Sequence, residues 1–287
     1  MDQSTFLTPA LKHILVATDL SPATANVLRY AAQFCSRFGS ELYVAHVLHS
    51  DVYPFQLPET WPVLADAENE LAQKAGRLIR DTLGSIPHEL ILEKGEVWST
   101  IRNIIKEKNI DLLIAGTHGR SGISKAIVGS VAEEMLRCAD CPVLTIGPNV
   151  PFSDGSSLKL NRILYATDFS AESLSAVRLA IHLSKLSDAA LTLLHCCKND
   201  ENKDAMLETL CEVVPFGAGL SSPPECFVKS TSHRHAILDL AHEQGADLIV
   251  LGIPRTRWHS KLTTHLTGSI TYHVVSRAEC PVVTVRN

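Results

Sequence analysis

Short apolar runs alternate with longer amphipathic stretches along the whole chain. In the first half the runs lie at 13–17, 42–48, 89–92, 111–115 and 142–146. Each is too short for a helix and lacks the alternation of a half-exposed strand, so they read as parallel strands buried on both faces. Between them the apolar positions recur at helical spacing. Ser21-Pro22 predicts the start of the first helix, as cap and first-turn proline, and Phe34, Cys35 and Phe38 continue its inner face until Gly39 ends it. Strand and helix in alternation predict an α/β fold built on a doubly wound parallel sheet.

The pattern occurs twice. Residues 13–46 align without a gap, 149 residues on, with residues 162–195, and Ala17, Thr18, Asp19 and Ser21 fall on Ala166, Thr167, Asp168 and Ser170. Further along, 111–116 matches 247–252, and 141–146 matches 280–285. A tandem duplication follows, with domains expected at 1–148 and 161–287 and a linker at 149–160 in a stretch rich in Pro, Ser and Gly. Ser50 to Pro62 reads as a long loop over or beside the crevice of the first copy. The second copy has about thirteen residues fewer between its second and fourth strands, so its covering segment, Asp200 to Pro215, is shorter.

Directly behind the fourth apolar run stands Gly116-Thr117-His118-Gly119, with nine residues between Gly119 and Gly129-Ser130. Strand, glycine loop and helix start, in that order, aim several backbone N–H groups at one spot where the helix dipole favours an anion. The glycines are expected to supply φ > 0 and to let a phosphate approach with no Cβ in the way. Arg120 and Lys125 add positive charge. The run is neither the Walker nor the Rossmann fingerprint. Ser130-Val-Ala-Glu133 is also a capping box, worth about 1 kcal/mol to its helix. Asp19, straight after the first strand, either accepts hydrogen bonds from a ribose or caps the following helix, and Ser21 sits in the better capping place.

The Ala-Thr-Asp-x-Ser motif, the G-x2-G-x9-G-S loop, the Cys-Pro-Val last strand and the two copies together resemble the universal stress protein family in its tandem form. The resemblance implies a five-stranded parallel sheet flanked by helices in each copy, of the adenine nucleotide α-hydrolase-like type, with strands one and four flanking the crevice. It implies ATP, accompanied by Mg²⁺, as the ligand of the first copy. The nucleotide would meet Ala17, Thr18, Asp19, Gly116, Thr117, His118, Gly119, Arg120, Gly129, Ser130 and Val131. The backbone of Val47 would hold the adenine, and Ser130 with the amides around it the terminal phosphates. It also implies pairing of the last strands of the two copies within the chain, and a possible homodimer.

The second copy is an internal control. It keeps Asp168, Gly252 and Gly268-Ser269. Arg255 replaces the second glycine, twelve residues separate it from Gly268, and Pro254 removes a backbone donor. Weak or no ATP binding is expected there, although Arg255, Arg257 and Lys261 could still attract an anion.

Other constellations carry less. Cys138-Ala-Asp-Cys141 has CxxC spacing, but Cys138 is matched by Arg277, and the pair closes a helix where a redox motif opens one. His235, Asp239 and His242 share a helical face without closing a metal site. Trp258 and His259 could stack on a base or simply pack. The net charge of −5, without a basic stripe, argues against nucleic acid, and the absence of a leader or long apolar run predicts a cytoplasmic protein without a membrane partner. No catalytic residue and no protein metal ligand emerge. A nucleotide-dependent switch in stress response, with unknown protein partners, is the leading reading. A slow ATPase or phosphotransferase would need a water-activating group that the sequence does not show, and an interaction protein built as a pseudo-dimer is the other alternative.

Overall fold

The computed structural model describes residues 11–49, 61–117, 128–152, 157–197, 202–230, 233–253 and 269–286. In the first half the elements are β1 (His13–Ala17), α1 (Thr24–Phe38), β2 (Glu41–His49), α2 (Trp61–Leu83), β3 (His88–Gly95), α3 (Val97–Glu107), β4 (Leu112–Gly116), α4 (Ser130–Cys138) and β5 (Val143–Ile146). The second half repeats them as β6 (Arg162–Thr167), α5 (Ala171–Ser187), β7 (Ala190–Cys196), α6 (Lys203–Glu212), β8 (Glu225–Lys229), α7 (His233–Gln244), β9 (Leu248–Ile253), α8 (Ile270–Arg277) and β10 (Val282–Arg286). Every strand expected in the first copy is present. The expected loop at 50–62 ends earlier, because Trp61 and Pro62 form the first turn of α2, where a proline's missing N–H costs nothing. The rest of that loop, at 50–60, lies outside the described residues.

All ten strands form one sheet in the order β3-β2-β1-β4-β5-β10-β9-β6-β7-β8. Neighbours within each half run parallel. At the centre β5 and β10 pair antiparallel, with Val282 opposite Thr145, Val283 opposite Leu144 and Thr284 opposite Val143. A terminal strand in each half would otherwise leave a row of unpaired N–H and C=O groups, and here each covers the other. Thr145 Oγ1 donates to the carbonyl of Val282 at 3.1 Å, tying the seam through a side chain as well.

Period-two alternation splits each strand between two cores. Ile14, Val16, Leu112, Ile114, Ile163, Tyr165, Leu248 and Val250 face α1, α2, α5 and α6. Leu15, Leu113, Ala115, Leu164, Ile249 and Leu251 face α3, α4, α7 and α8. Both cores run on across the β5–β10 seam. Arg37 on α1 donates to the carbonyl of Ser187 at the end of α5 at 2.9 Å.

The described parts of the expected linker, 149–152 and 157–160, pack against the two halves. Val150, Leu158 and Leu160 are buried in the first core, Asn149 Nδ2 donates to the carbonyl of Arg277 at 3.1 Å, and the carbonyl of Pro151 accepts from Asn26 and Tyr30. Its Pro-Ser-Gly composition suggests slack, but three apolar side chains spaced along it find places in the core. The shorter second copy shows up in the helix over its first core: α6 has 10 residues where α2 has 23.

Candidate functional site

In each half the sheet order reverses between the first and fourth strands, β1 beside β4 and β6 beside β9. At such a point the flanking connections leave towards opposite faces and open a crevice beyond the carboxyl ends of the strands. Ala17 lies level with Ala115 and with Ala45 on the other side. Thr18 and Asp19 therefore leave β1 beside Gly116 at the end of β4, with Val47 two residues beyond Ala45 on β2.

The Thr-Asp-x-Ser turn is nearly the same in both copies. Leu20 and Phe169 stand at φ 59° and 61°, left-handed values that cost a non-glycine residue about 1 kcal/mol or more. Side chains hold the strain. Leu20 N–H donates to Thr18 Oγ1 at 3.0 Å and Ser21 N–H to Asp19 Oδ1 at 2.9 Å. Phe169 and Ser170 repeat these bonds to Thr167 and Asp168, each at 3.0 Å. Thr18 Oγ1 meets Thr24 Oγ1 at 2.8 Å, as Thr167 meets Ser173 at 2.9 Å. Buried His46 and His195 use Nδ1–H to reach the carbonyls of Thr18 and Thr167, at 2.7 and 2.9 Å, which fixes their tautomer. The two histidines stand at the matching ends of the aligned segments, so their pairing was the available signal for this support.

One expectation fails here. Ser21 does not cap α1: the helix begins at Thr24, after Ala23, with no side-chain cap bond. Pro22 starts a turn instead, in which Thr24 N–H reaches the carbonyl of Ser21 at 3.0 Å. In the second copy Ala171 replaces that proline, the helix starts two residues sooner by alignment, and Ser170 does cap it, accepting from Ser173 N–H at 3.2 Å. Asp19 likewise closes a local Asx turn without capping α1, and stays half-exposed at the mouth of the crevice. Burial would raise the Asp168 carboxyl, but hydrogen bonds from Ser170 and Ser173 outweigh it and hold the group below the usual carboxylate range.

On the opposite wall Thr117 N–H donates to the carbonyl of Ile146 at 3.1 Å, and the carbonyl of Thr117 accepts from Gly129 N–H at 2.8 Å. The connection thus leaves and returns at one point. His118, Gly119 and Arg120 lie outside the described residues, as do Arg255, Trp258, His259 and Gly268 of the second copy. Gly129 has φ −63° and ψ 150°, and Gly116 is a strand residue paired with Ile146, so the expected positive φ is absent at both. The capping box is absent too. Gly129 is the N-cap of α4, and Ser130 is its exposed first residue, followed by exposed Val131. The matching Ser269 does cap α8, accepting from Tyr272 N–H at 3.1 Å.

Two glycines at the site differ in what they accommodate. A Cβ on Gly252 would lie 2.3 Å from the Cα of Ser173 and 2.4 Å from the carbonyl oxygen of Glu172, because the start of α5 rests directly on the end of β9. That glycine is required by helix–strand packing. Among the described residues, a Cβ on Gly129 would meet nothing nearer than the carbonyl of Thr117 at 3.6 Å, an ordinary contact. No sequence signal marks Tyr272 of α8, whose hydroxyl oxygen accepts from the buried Val128 N–H at 2.9 Å. The second half thereby holds the returning end of the first half's glycine loop. Tyr272→Phe leaves that donor unpaired and is expected to cost about 1–3 kcal/mol; an unchanged urea midpoint would contradict this role.

The remaining constellations resolve into packing and surface pairs. Burial pushes both Cys141 and its repeat mate Cys280 up to about 12, and both belong to the second core. His242 pairs with Glu279 at 2.9 Å, whereas His235 sits edge-on to His273. Among the described residues no three His, Cys, Asp or Glu side chains are arranged to hold a metal, and no helix is long and apolar enough to cross a membrane.

The model of the universal stress protein family matches residues 10–147, 159–209 and 222–286. Over 141 residues, 47% of this chain and 81% of the relative, the chain is 30% identical to universal stress protein MJ0531 of Methanocaldococcus jannaschii. It is also 30% identical over 145 residues to universal stress protein Rv2005c of Mycobacterium tuberculosis, covering 48% of this chain and 49% of that one. A universal stress protein structure from Archaeoglobus fulgidus shares the fold over 98% of this chain and 99% of its own, with a TM-score of 0.73 at 23% identity. Duplicated motifs, sheet order and family match agree: the chain belongs to the universal stress protein family.

Proposed function

We propose that the first half binds ATP, with Mg²⁺, in the crevice between the ends of β1 and β4, and that occupancy of this site switches the surface shown to protein partners during stress. The observation that carries the reading is Gly129. It has neither a left-handed φ nor, among the described residues, a neighbour that a Cβ would strike, so beyond the modest preference for glycine at an N-cap close approach of a ligand to the backbone accounts for it. In this reading Asp19 accepts from the ribose hydroxyls, the backbone of Val47 meets the adenine, and the start of α4 with Ser130, whose hydroxyl is not used as a cap, meets the phosphates. The Mg²⁺ ion is held by phosphate oxygens and water, as that ion prefers. Isothermal titration of Mg²⁺ with ATP and with ADP tests the proposal. One nucleotide per chain is expected, and Gly129→Ala should bind about tenfold more weakly, a loss of about 1.4 kcal/mol, with its fold intact. Absence of binding to the unaltered protein, or full affinity in the variant, would remove the basis for a phosphate cradle at Gly129.

A further inference from the structure

α8 belongs to the second half but is gripped by the first at both ends. At its start the Tyr272 hydroxyl oxygen accepts from Val128 N–H at 2.9 Å. At its end the carbonyl of Arg277 accepts from Asn149, and the carbonyl of Val275 lies where a Cβ on Gly147 would stand 3.0 Å from it. Tyr272 and Val128 are both buried, at 6% and 3% exposure, so the amide has no ready exchange of its partner for water. Gly129 N–H, the next donor along, goes to the carbonyl of Thr117 at 2.8 Å. Two successive peptide planes are thus fixed, one by each half, immediately before the amides that open α4, which carry no side-chain cap. Tyr272 N–H is in turn held by Ser269 Oγ at 3.1 Å. Val128, which leads into α4, and Ser269, which caps α8, are therefore joined through one residue.

We propose that Tyr272 is a positioning residue for the crevice of the first half, and that through it the second half sets how tightly that crevice binds nucleotide, given the nucleotide reading of the site above. Phenylalanine at 272 fills nearly the same space but leaves Val128 N–H without its acceptor. That peptide then turns to find another, and Gly129 and the first amides of α4 turn with it, away from the phosphates they meet in that reading. Binding groups keep their geometry only while their own supports do. The coupling is reciprocal: a nucleotide that holds the start of α4 in place also firms the bond to Tyr272 and steadies α8.

Titration calorimetry and hydrogen exchange read by mass spectrometry, both on the full-length chain with Mg²⁺ and ATP, test this role. Tyr272→Phe is expected to bind about tenfold more weakly. Val250→Ala removes buried volume from the second half on the other face of the sheet, so it lowers stability without touching α8 and should leave the affinity unchanged. Saturating ATP should slow exchange across residues 270–277 of the unaltered chain, and in Tyr272→Phe, saturated at higher concentration, that slowing should disappear. The positioning role is overturned if Tyr272→Phe binds at full affinity, if Val250→Ala loses as much, or if exchange in 270–277 of the unaltered chain ignores ATP. The last measurement decides even if Tyr272→Phe does not fold. Failure of the unaltered chain to bind ATP is a different outcome, which removes the nucleotide reading itself and this role with it.

Discussion

Gly252→Ala is expected to destabilise the protein by about 1–3 kcal/mol, the usual cost of forcing volume into a packed site, and the larger part of that range is the better expectation here. The atoms that the new methyl meets belong to the backbone of Glu172 and Ser173, the nearest at 2.3 Å. No side chain can swing aside. Relief requires the start of α5 to lift from β9, which disturbs the Ser170 cap and the buried Tyr165 hydroxyl, bonded to the carbonyl of Ser173 at 2.6 Å. Urea unfolding followed by circular dichroism gives the answer. A midpoint equal to that of the unaltered chain would mean that α5 does not rest on Gly252 as described, and would return this glycine to the list of residues explained by a ligand.

Asp19→Asn should weaken ATP binding about ten- to hundredfold, from the loss of charge-assisted hydrogen bonds worth about 1.5–3 kcal/mol. Asparagine keeps an oxygen for the Ser21 N–H, so the turn and the left-handed Leu20 are preserved and the substitution tests charge rather than folding. Asp168→Asn, at the same place in the other copy, should leave the affinity unchanged. Titration calorimetry on both variants reads the asymmetry. Equal losses in the two would show that both crevices take nucleotide, and no loss in Asp19→Asn would separate this carboxylate from the ligand.

Much of the architecture was legible because buried parallel strands are nearly continuous apolar runs and because the chain repeats them. The ends of elements were less so. Ser21 and Ser130 are good caps by type, yet whether each is used depends on a neighbour: Pro22 delays α1, while Gly129 takes the cap of α4. Their repeat mates Ser170 and Ser269 do cap, so local sequence alone does not decide. The glycines misled in a similar way. A glycine behind a strand suggests a left-handed turn, whereas Gly252 is there because a helix start lies 2.3 Å from where its Cβ would be. That is a tertiary distance with no local pattern. Tyr272 reaching Val128 is likewise a product of packing between segments that carry no mark of one another.

The antiparallel seam of β5 and β10 has a consequence for divergence. Were the two halves separate identical subunits related by a two-fold axis, every substitution would appear on both sides of the interface at once, and a change that suited one crevice would be imposed on the other. Covalent linkage removes that obligation. The position three residues after the helix-opening serine is Glu133 on one side and Tyr272 on the other, so a buttress for one loop can be added without duplicating it. The seam keeps the geometry of a symmetric pair, and the single chain leaves each half at liberty to specialise.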